Sequence, residues 1–283
     1  MIVAQSIEPK AVFFERSDGR LAPGERVAHG FAFEGVEVRL CDSAAGVSVR
    51  VYRPDGPLSR VVIRWARPFA ADALFLGDHW ERSYGDLQWR YLQPERIFPW
   101  YFTARDEGSG GAFFAGVRTQ PSAFCFWTTD SEGFSLWLDF RNGGMPSLPG
   151  AREILAATIV LASSDPTVPA WDALRQFCRK LCSAPRLPAA PVCGNNNWYY
   201  AYGKDFSSAS ILGDAQLLSE LAGGHPNRPY CVVDAGWTPG GECPGGPWER
   251  GDPATFPDMV SLAAQMRARG VKPGIWIRPT AHS

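Results

Sequence analysis

Three short apolar runs in the last third of this 283-residue chain end in side chains that can do chemistry. Residues 230–233 close on Asp234, which leads through Ala235 and Gly236 to Trp237; residues 271–277 carry Trp276 and run on to Arg278; residues 192–198 close on Trp198. A carboxylate accepts hydrogen bonds from neighbouring hydroxyls, and an indole offers a flat apolar face with one polar edge. Together they suit a neutral, hydroxyl-rich ring. A guanidinium at the mouth, Arg278, would orient a carboxylate or a sugar oxygen.

The elements that must position these residues alternate between strand and helix. After the first run, Ile211, Ala215, Leu218 and Ala222 fall at helical spacing and Gly223-Gly224 stops them. A second helix begins near Pro257, with Met259, Leu262, Ala263 and Met266 inward, and Gly270 ends it in a left-handed cap. Strand, helix, strand, helix, strand with right-handed crossovers makes a parallel sheet buried on both faces. The turn after the first strand holds a single glycine, Gly203, without phosphate-cradling spacing, which disfavours a nucleotide fold. The pattern therefore reads as the opening of a (β/α)8 barrel, whose active sites lie at the C-terminal strand ends. Lys272, at the other end of its strand, reads as structural.

The first 165 residues follow a different rule. Apolar residues recur with period two at 31–40, with a break of phase at Gly35, and at 47–51, 60–65, 100–104, 112–117, 123–128, 134–140 and 154–161. Turns at 54–56, 108–111 and 142–144 separate them, which predicts an antiparallel β-sandwich over 1–165. Residues 166–191 then read as a linking helix, with Trp171, Leu174, Phe177, Cys178, Leu181 and Cys182 on one face, followed by a linker marked by Pro185, Pro188 and Pro191. Residues 192–283 form the incomplete barrel. The polar and aromatic segment 77–89, with His79 and Trp80, reads as a turn between strands; His79 with Glu81 makes no metal signature.

Composition narrows the partners. Lys plus Arg number 28 against 29 Asp plus Glu, which gives nucleic acid and acidic membranes no electrostatic hold. Aromatic residues make up 13% of the chain, including 11 Trp, which suits sandwich cores and carbohydrate sites alike. The seven cysteines lack the spacing of a zinc site or a disulfide framework and read as buried free thiols. Cys178 and Cys182 lie four apart, but on the apolar stripe and with no histidine nearby. No cofactor or metal is expected. The N-terminus lacks a basic start and a long apolar run, so the expectation is a soluble, cytoplasmic protein.

Asn195-Asn-Asn197-Trp198, Val233-Asp234-Ala-Gly-Trp237, Trp248, Phe256-Pro-Asp258 and Lys272-Pro-Gly-Ile-Trp276 resemble the opening half of the catalytic barrel of melibiase-like α-galactosidases. That family places a β-sandwich before the barrel. The resemblance implies hydrolysis of a terminal α-galactoside with retention, by a carboxylate nucleophile after the fourth barrel strand and an acid/base after the sixth. It implies that Trp198 and Trp276 line the sugar pocket, with Trp237 close by, and that Asp234 accepts from hydroxyls near C4 and C6. The family often carries a second Asp where this chain has Ala235, which leaves the preferred hexose open. Loops of similar sandwiches approach a neighbouring active site, which points to a homo-oligomer formed through that domain.

A retaining glycosidase needs two carboxyl groups ~5 to 5.5 Å apart. Eight strand-helix units typically need ~250 residues, so only about three fit after residue 191. The fourth and sixth strands are therefore expected to be missing, Asp258 reads as a helix start, and no catalytic residue is assigned. The reading is a glycosidase present as a fragment, inactive by itself. A noncatalytic carbohydrate-binding protein, a raffinose-type transglycosidase and a structural sandwich module with a vestigial tail are the alternatives.

Overall fold

A computed structural model of the chain describes residues 1–80, 85–105, 110–241 and 248–277. The chain divides into two compact units, Met1–Pro185 and Arg186–Ser283.

The first unit is built from two antiparallel sheets. Among the described residues the larger runs in the order Arg90–Tyr91, Leu74–Gly77, Tyr101–Arg105, Ala112–Val117, Ile154–Ser164, Gly46–Tyr52, Val36–Ser43, Gly30–Phe33 and Glu25–Val27, with Ile2–Ala4 also on Ile154–Ser164. The smaller runs Phe98–Pro99, Phe124–Asp130, Gly133–Asp139, Arg60–Ala66, Ala11–Glu15 and Leu21–Pro23. Period-two alternation turns Val61, Ile63, Trp65, Trp127, Phe134 and Leu136 of the smaller sheet against Phe102, Phe113, Ala115, Val49 and Val51 of the larger. Much of the chain's aromatic content is used here. Trp65 and Phe134 stack at 5.1 Å, and Phe102 meets Trp127 edge-on at 5.8 Å. The buried indoles keep their polar edge satisfied: Trp65 Nε1 donates to the Ile7 carbonyl at 2.9 Å and Trp127 Nε1 to that of Trp100 at 3.2 Å.

The strands expected from alternation are present, and several were not anticipated. Ile2–Ala4, Leu21–Pro23, Glu25–Val27 and Phe98–Pro99 are two or three residues long, too short to display a period. The break of phase at Gly35 is a hairpin turn, with Glu34 at φ 44° and Gly35 at φ 80° joining Gly30–Phe33 to Val36–Ser43.

The helix expected as a link packs instead on the sandwich. Ala170–Leu181 lays Ala173, Leu174, Phe177 and Leu181 against Phe114, Val160 and Ala162, on the outer face of the larger sheet. Gly116 makes room for it, since a Cβ there would lie 2.8 to 3.0 Å from Leu181 and Phe177 side-chain atoms. This pairing of an apolar helix stripe with an apolar sheet face is what sets the boundary after Pro185.

In the second unit Gly194–Asn196, Tyr230–Val233 and Lys272–Ile275 form a parallel sheet in that order. Helices Ser208–Ala222 and Met259–Ala268 cover one face, packing Ile211, Ala215, Leu262 and Met266 on Cys231 and Val233. The expectation of a sheet buried on both faces is not met among the described residues: Asn196, Tyr230, Val232, Lys272 and Gly274, in the alternate phase, are half-buried. Asp258 is the cap of the second helix, its carboxylate accepting from Ser261 N at 2.8 Å, and Gly270 follows at φ 83°. Arg228 ties both helix ends together, donating from Nε to the Gly270 carbonyl at 2.5 Å, from NH2 to Ser219 Oγ at 2.8 Å and from NH1 to the Gly223 carbonyl. A cation is favourable at helix C-termini.

Among the described residues no helix is long and apolar enough to cross a membrane. Six free cysteines are described, and they are not uniformly buried as expected: Cys41 and Cys193 are exposed, Cys178 and Cys182 half-buried, Cys125 and Cys231 buried. Burial pushes the Cys125 thiol up to about 12 and the Cys231 thiol up to about 11.

Candidate functional site

The register of the parallel sheet brings the candidate residues to one end. Asn196 pairs with Val232, and Val233 pairs with Ile275. The ladder runs one step further, with Trp276 N donating to the Val233 carbonyl at 2.9 Å. Trp198, Asp234 and Trp276 therefore emerge side by side, past the C-terminal ends of three adjacent strands. Trp198 opens a one-turn helix, Trp198–Ala201, which Tyr202 closes in the left-handed region at φ 48°.

Asp234 is 7% exposed, and among the described residues its hydrogen-bond partners are neutral. Asn196 Nδ2 donates to Oδ2, and the Ala235 main-chain N–H donates to Oδ1 at 2.6 Å. An ionised carboxylate can accept about four such bonds, so roughly two acceptor positions remain for a ligand. The main chain is held as well: Asp234 N donates to Asn197 Oδ1 at 2.7 Å. Asn197 is 1% exposed, and its Nδ2 has no partner among the described residues. On the other side, Asn196 Oδ1 accepts from Trp198 N at 2.7 Å. Two consecutive asparagines thus fix the carboxylate, its main chain and the start of the Trp198 turn.

The tryptophans divide by burial. Trp237 is 2% exposed, inside the apolar core of the unit, and its Nε1 donates to the Trp276 carbonyl at 2.9 Å. It holds the Trp276 strand end from behind, and Trp248 fills the space between them, 5.9 Å from Trp237 and 6.1 Å from Trp276. Trp276 and Trp198 are half-buried, which leaves indole surface for a ligand; Trp198 meets Tyr202 edge-on at 6.0 Å. The turn between Asp234 and Trp237 needs Gly236. It sits at φ +104°, and a Cβ there would come within 2.5 Å of the Gly203 carbonyl oxygen.

Of the five residues singled out in the sequence, Trp198, Asp234 and Trp276 are brought together and Trp237 stands behind them. Arg278 lies outside the described residues. Asn196 and Asn197 entered the sequence reading only as part of a motif. The signal that marks them is a run of amides where a strand ends and the chain turns inward, a place where each polar group must find a partner.

The arrangement can accept hydrogen bonds from hydroxyls and cover an apolar ring face. Among the described residues no group of three or more His, Cys, Asp or Glu is placed to hold a metal ion. Cavities of about 430 and 440 Å³ open on the sandwich unit, around Ser6, Asp42 and Val47. Neither brings an indole to a carboxylate, and the chemistry favours the strand ends over these hollows.

No protein-family model and no curated protein matches the sequence. Solved structures do match the fold. The galactosidase domain of an alpha-galactosidase–sucrose kinase superposes with a TM-score of 0.52 at 17% identity, over 95% of this chain and 45% of that one. The alpha-galactosidase from Lactobacillus brevis gives 0.52 at 16% identity, over 99% and 41%. The alpha-N-acetylgalactosaminidase of Bifidobacterium bifidum, in complex with Gal-NHAc-DNJ, gives 0.50 at 14%, over 93% and 52%. The chain spans about half the length of these structures or less, and at such identities the likeness is one of fold.

Proposed function

We propose that the strand ends of the second unit form the hexose-gripping wall of an α-galactosidase-like glycosidase. The observation that carries this reading is Asp234, held by neutral amides with acceptor capacity to spare, flanked across the sheet by the half-buried indoles of Trp198 and Trp276. The strand and helix order supports the opening of a (β/α)8 barrel, with residues 192–283 as its first three units, and the fold of the solved glycosidases supports the same assignment.

In this reading Asp234 accepts from two hydroxyls of a pyranose, each charge-assisted bond contributing about 1.5 to 3 kcal/mol. An indole covers the C–H face; hiding about 100 Å² of apolar area contributes roughly 2.5 kcal/mol before ordering costs. Hydrolysis of a terminal α-galactoside with retention is proposed only for a protein that also supplies two carboxyl groups ~5 to 5.5 Å apart. No residue of this chain is assigned to either role, and Asp258 is occupied as a helix cap. Binding without turnover is the corresponding second reading, since a ring held by Asp234, Trp198 and Trp276 requires no acid/base pair.

Calorimetry on the full chain tests the proposal. Methyl α-galactoside is expected to bind saturably and more tightly than methyl α-glucoside, its C4 epimer. Asp234→Asn is expected to weaken the galactoside by about 10- to 150-fold, the equivalent of one charge-assisted bond. Equal heats from both epimers, or none from either, would overturn it. Turnover of an aryl α-galactoside separates the hydrolytic reading from the binding one.

A further inference from the structure

We infer that Asn196 is the positioning residue of this site, coupling the Asp234 carboxylate to the Trp198 turn so that acceptor and aromatic wall act as one body. The inference rests on the sugar-binding reading above. Asn196 is the last residue of the edge strand Gly194–Asn196, and its side-chain amide is used at both ends: Nδ2 donates to Asp234 Oδ2, and Oδ1 accepts from Trp198 N at 2.7 Å. A shift of Asp234 therefore pulls on the residue that carries the first indole.

The geometry also explains why an amide is needed. A main-chain N–H on one side and a carboxylate on the other require one acceptor and one donor on a short, planar group, which asparagine supplies at this length at every pH. Aspartate would keep the acceptor but set two carboxylates against each other, and such a pair cannot both ionise without a large cost. Alanine would leave a buried carboxylate oxygen and a main-chain N–H without these partners. Asn197 adds the main-chain half of the same clamp through Asp234 N, so the carboxylate is fixed in direction as well as place. Among the described residues of the three strands, the titratable groups on the same face of the sheet, Tyr230 and Lys272, stand four residues back from Asp234 and Trp276 and hold each other, with Lys272 Nζ 5.1 Å from the Tyr230 ring centre.

Asn196→Asp and Asn196→Ala in the full chain, each with unchanged circular dichroism, provide the test. In the first arm, without sugar, tryptophan emission is followed against pH. Asn196→Asp is expected to show a transition above about pH 4.5, from the proton shared by the new carboxylate pair, that wild type lacks. Absence of that transition overturns the inference. In the second arm, methyl α-galactoside affinity is measured across the same range. The Asp variant is expected to bind within about threefold of wild type below the transition and at least tenfold more weakly above it, and the Ala variant to be weak throughout. Wild-type-like, pH-independent affinity in both variants overturns the role of Asn196 and leaves the sugar-binding reading standing. Failure of wild type itself to bind removes the site, and the role with it.

Discussion

Asp139 and Asp234 each stand at the end of an apolar strand, and they are held in opposite ways. Asp139, on the outer face of the sandwich, accepts from Arg60 Nε at 3.0 Å and from Arg141 Nε and NH2 at 2.9 and 2.7 Å, and Arg60 reaches on to Glu15 at 3.3 Å. Asp234 is held by an amide and a main-chain N–H. Guanidinium pairing consumes a carboxylate's charge and most of its acceptor sites, which fixes a surface. Amide pairing fixes direction and leaves the charge for something else. The contrast is the physical reason for treating one aspartate as structure and the other as a site.

The largest expected effect falls on neither aspartate. Trp237→Ala should destabilise the second unit by about 3 to 5 kcal/mol, because it empties a 2%-exposed indole position and releases the Trp276 strand end. Denaturant unfolding followed in each unit would register it, with the sandwich transition unmoved. Next in size, Asp234→Asn should reduce galactoside affinity by about 10- to 150-fold, while Asp139→Asn leaves affinity unchanged. A loss of binding from both would erase the distinction.

The pH dependence sharpens it further. At Asp139 burial acts upward, but the Arg141 side chain and main chain and the Arg60 guanidinium outweigh it and hold the carboxyl down at about 2, against an ordinary 3.8. A depressed folded pKa contributes stability that is present above the ordinary value and is lost as pH falls toward the folded one. The thermal midpoint of the sandwich should therefore decline between pH 3.8 and about 2, and Asp139→Asn should flatten that decline. The smallest effect is chemical: a thiol reagent should label exposed Cys41 and Cys193 well before buried Cys125 and Cys231, whose thiols burial pushes up.

Legibility followed the length of each pattern. Strands such as Gly133–Asp139 and helices such as Ser208–Ala222 were readable because several apolar residues repeat at one period. The two- and three-residue strands were not, since pairing rather than composition makes them. The helix Ala170–Leu181 was readable as a helix but not as a sandwich element, because the apolar face it covers, Phe114, Val160 and Ala162, is interleaved with residues of the other face. At the site, Asp234, Trp198 and Trp276 stood out by chemistry. The split between Trp237 and Trp276 depended on a turn at Gly236 and one indole hydrogen bond, which no local pattern announces. Asn196 was hidden for the same reason: its importance lies in a partner 38 residues away.

The central claim, that the ends of the parallel strands grip a pyranose, is tested most directly by following the indole N–H resonances of the full chain during titration with methyl α-galactoside. The account predicts that the Trp198 and Trp276 signals move with one saturation curve while those of Trp65 and Trp127 stay in place. Stationary Trp198 and Trp276 signals, or shifts confined to the sandwich tryptophans, would contradict it.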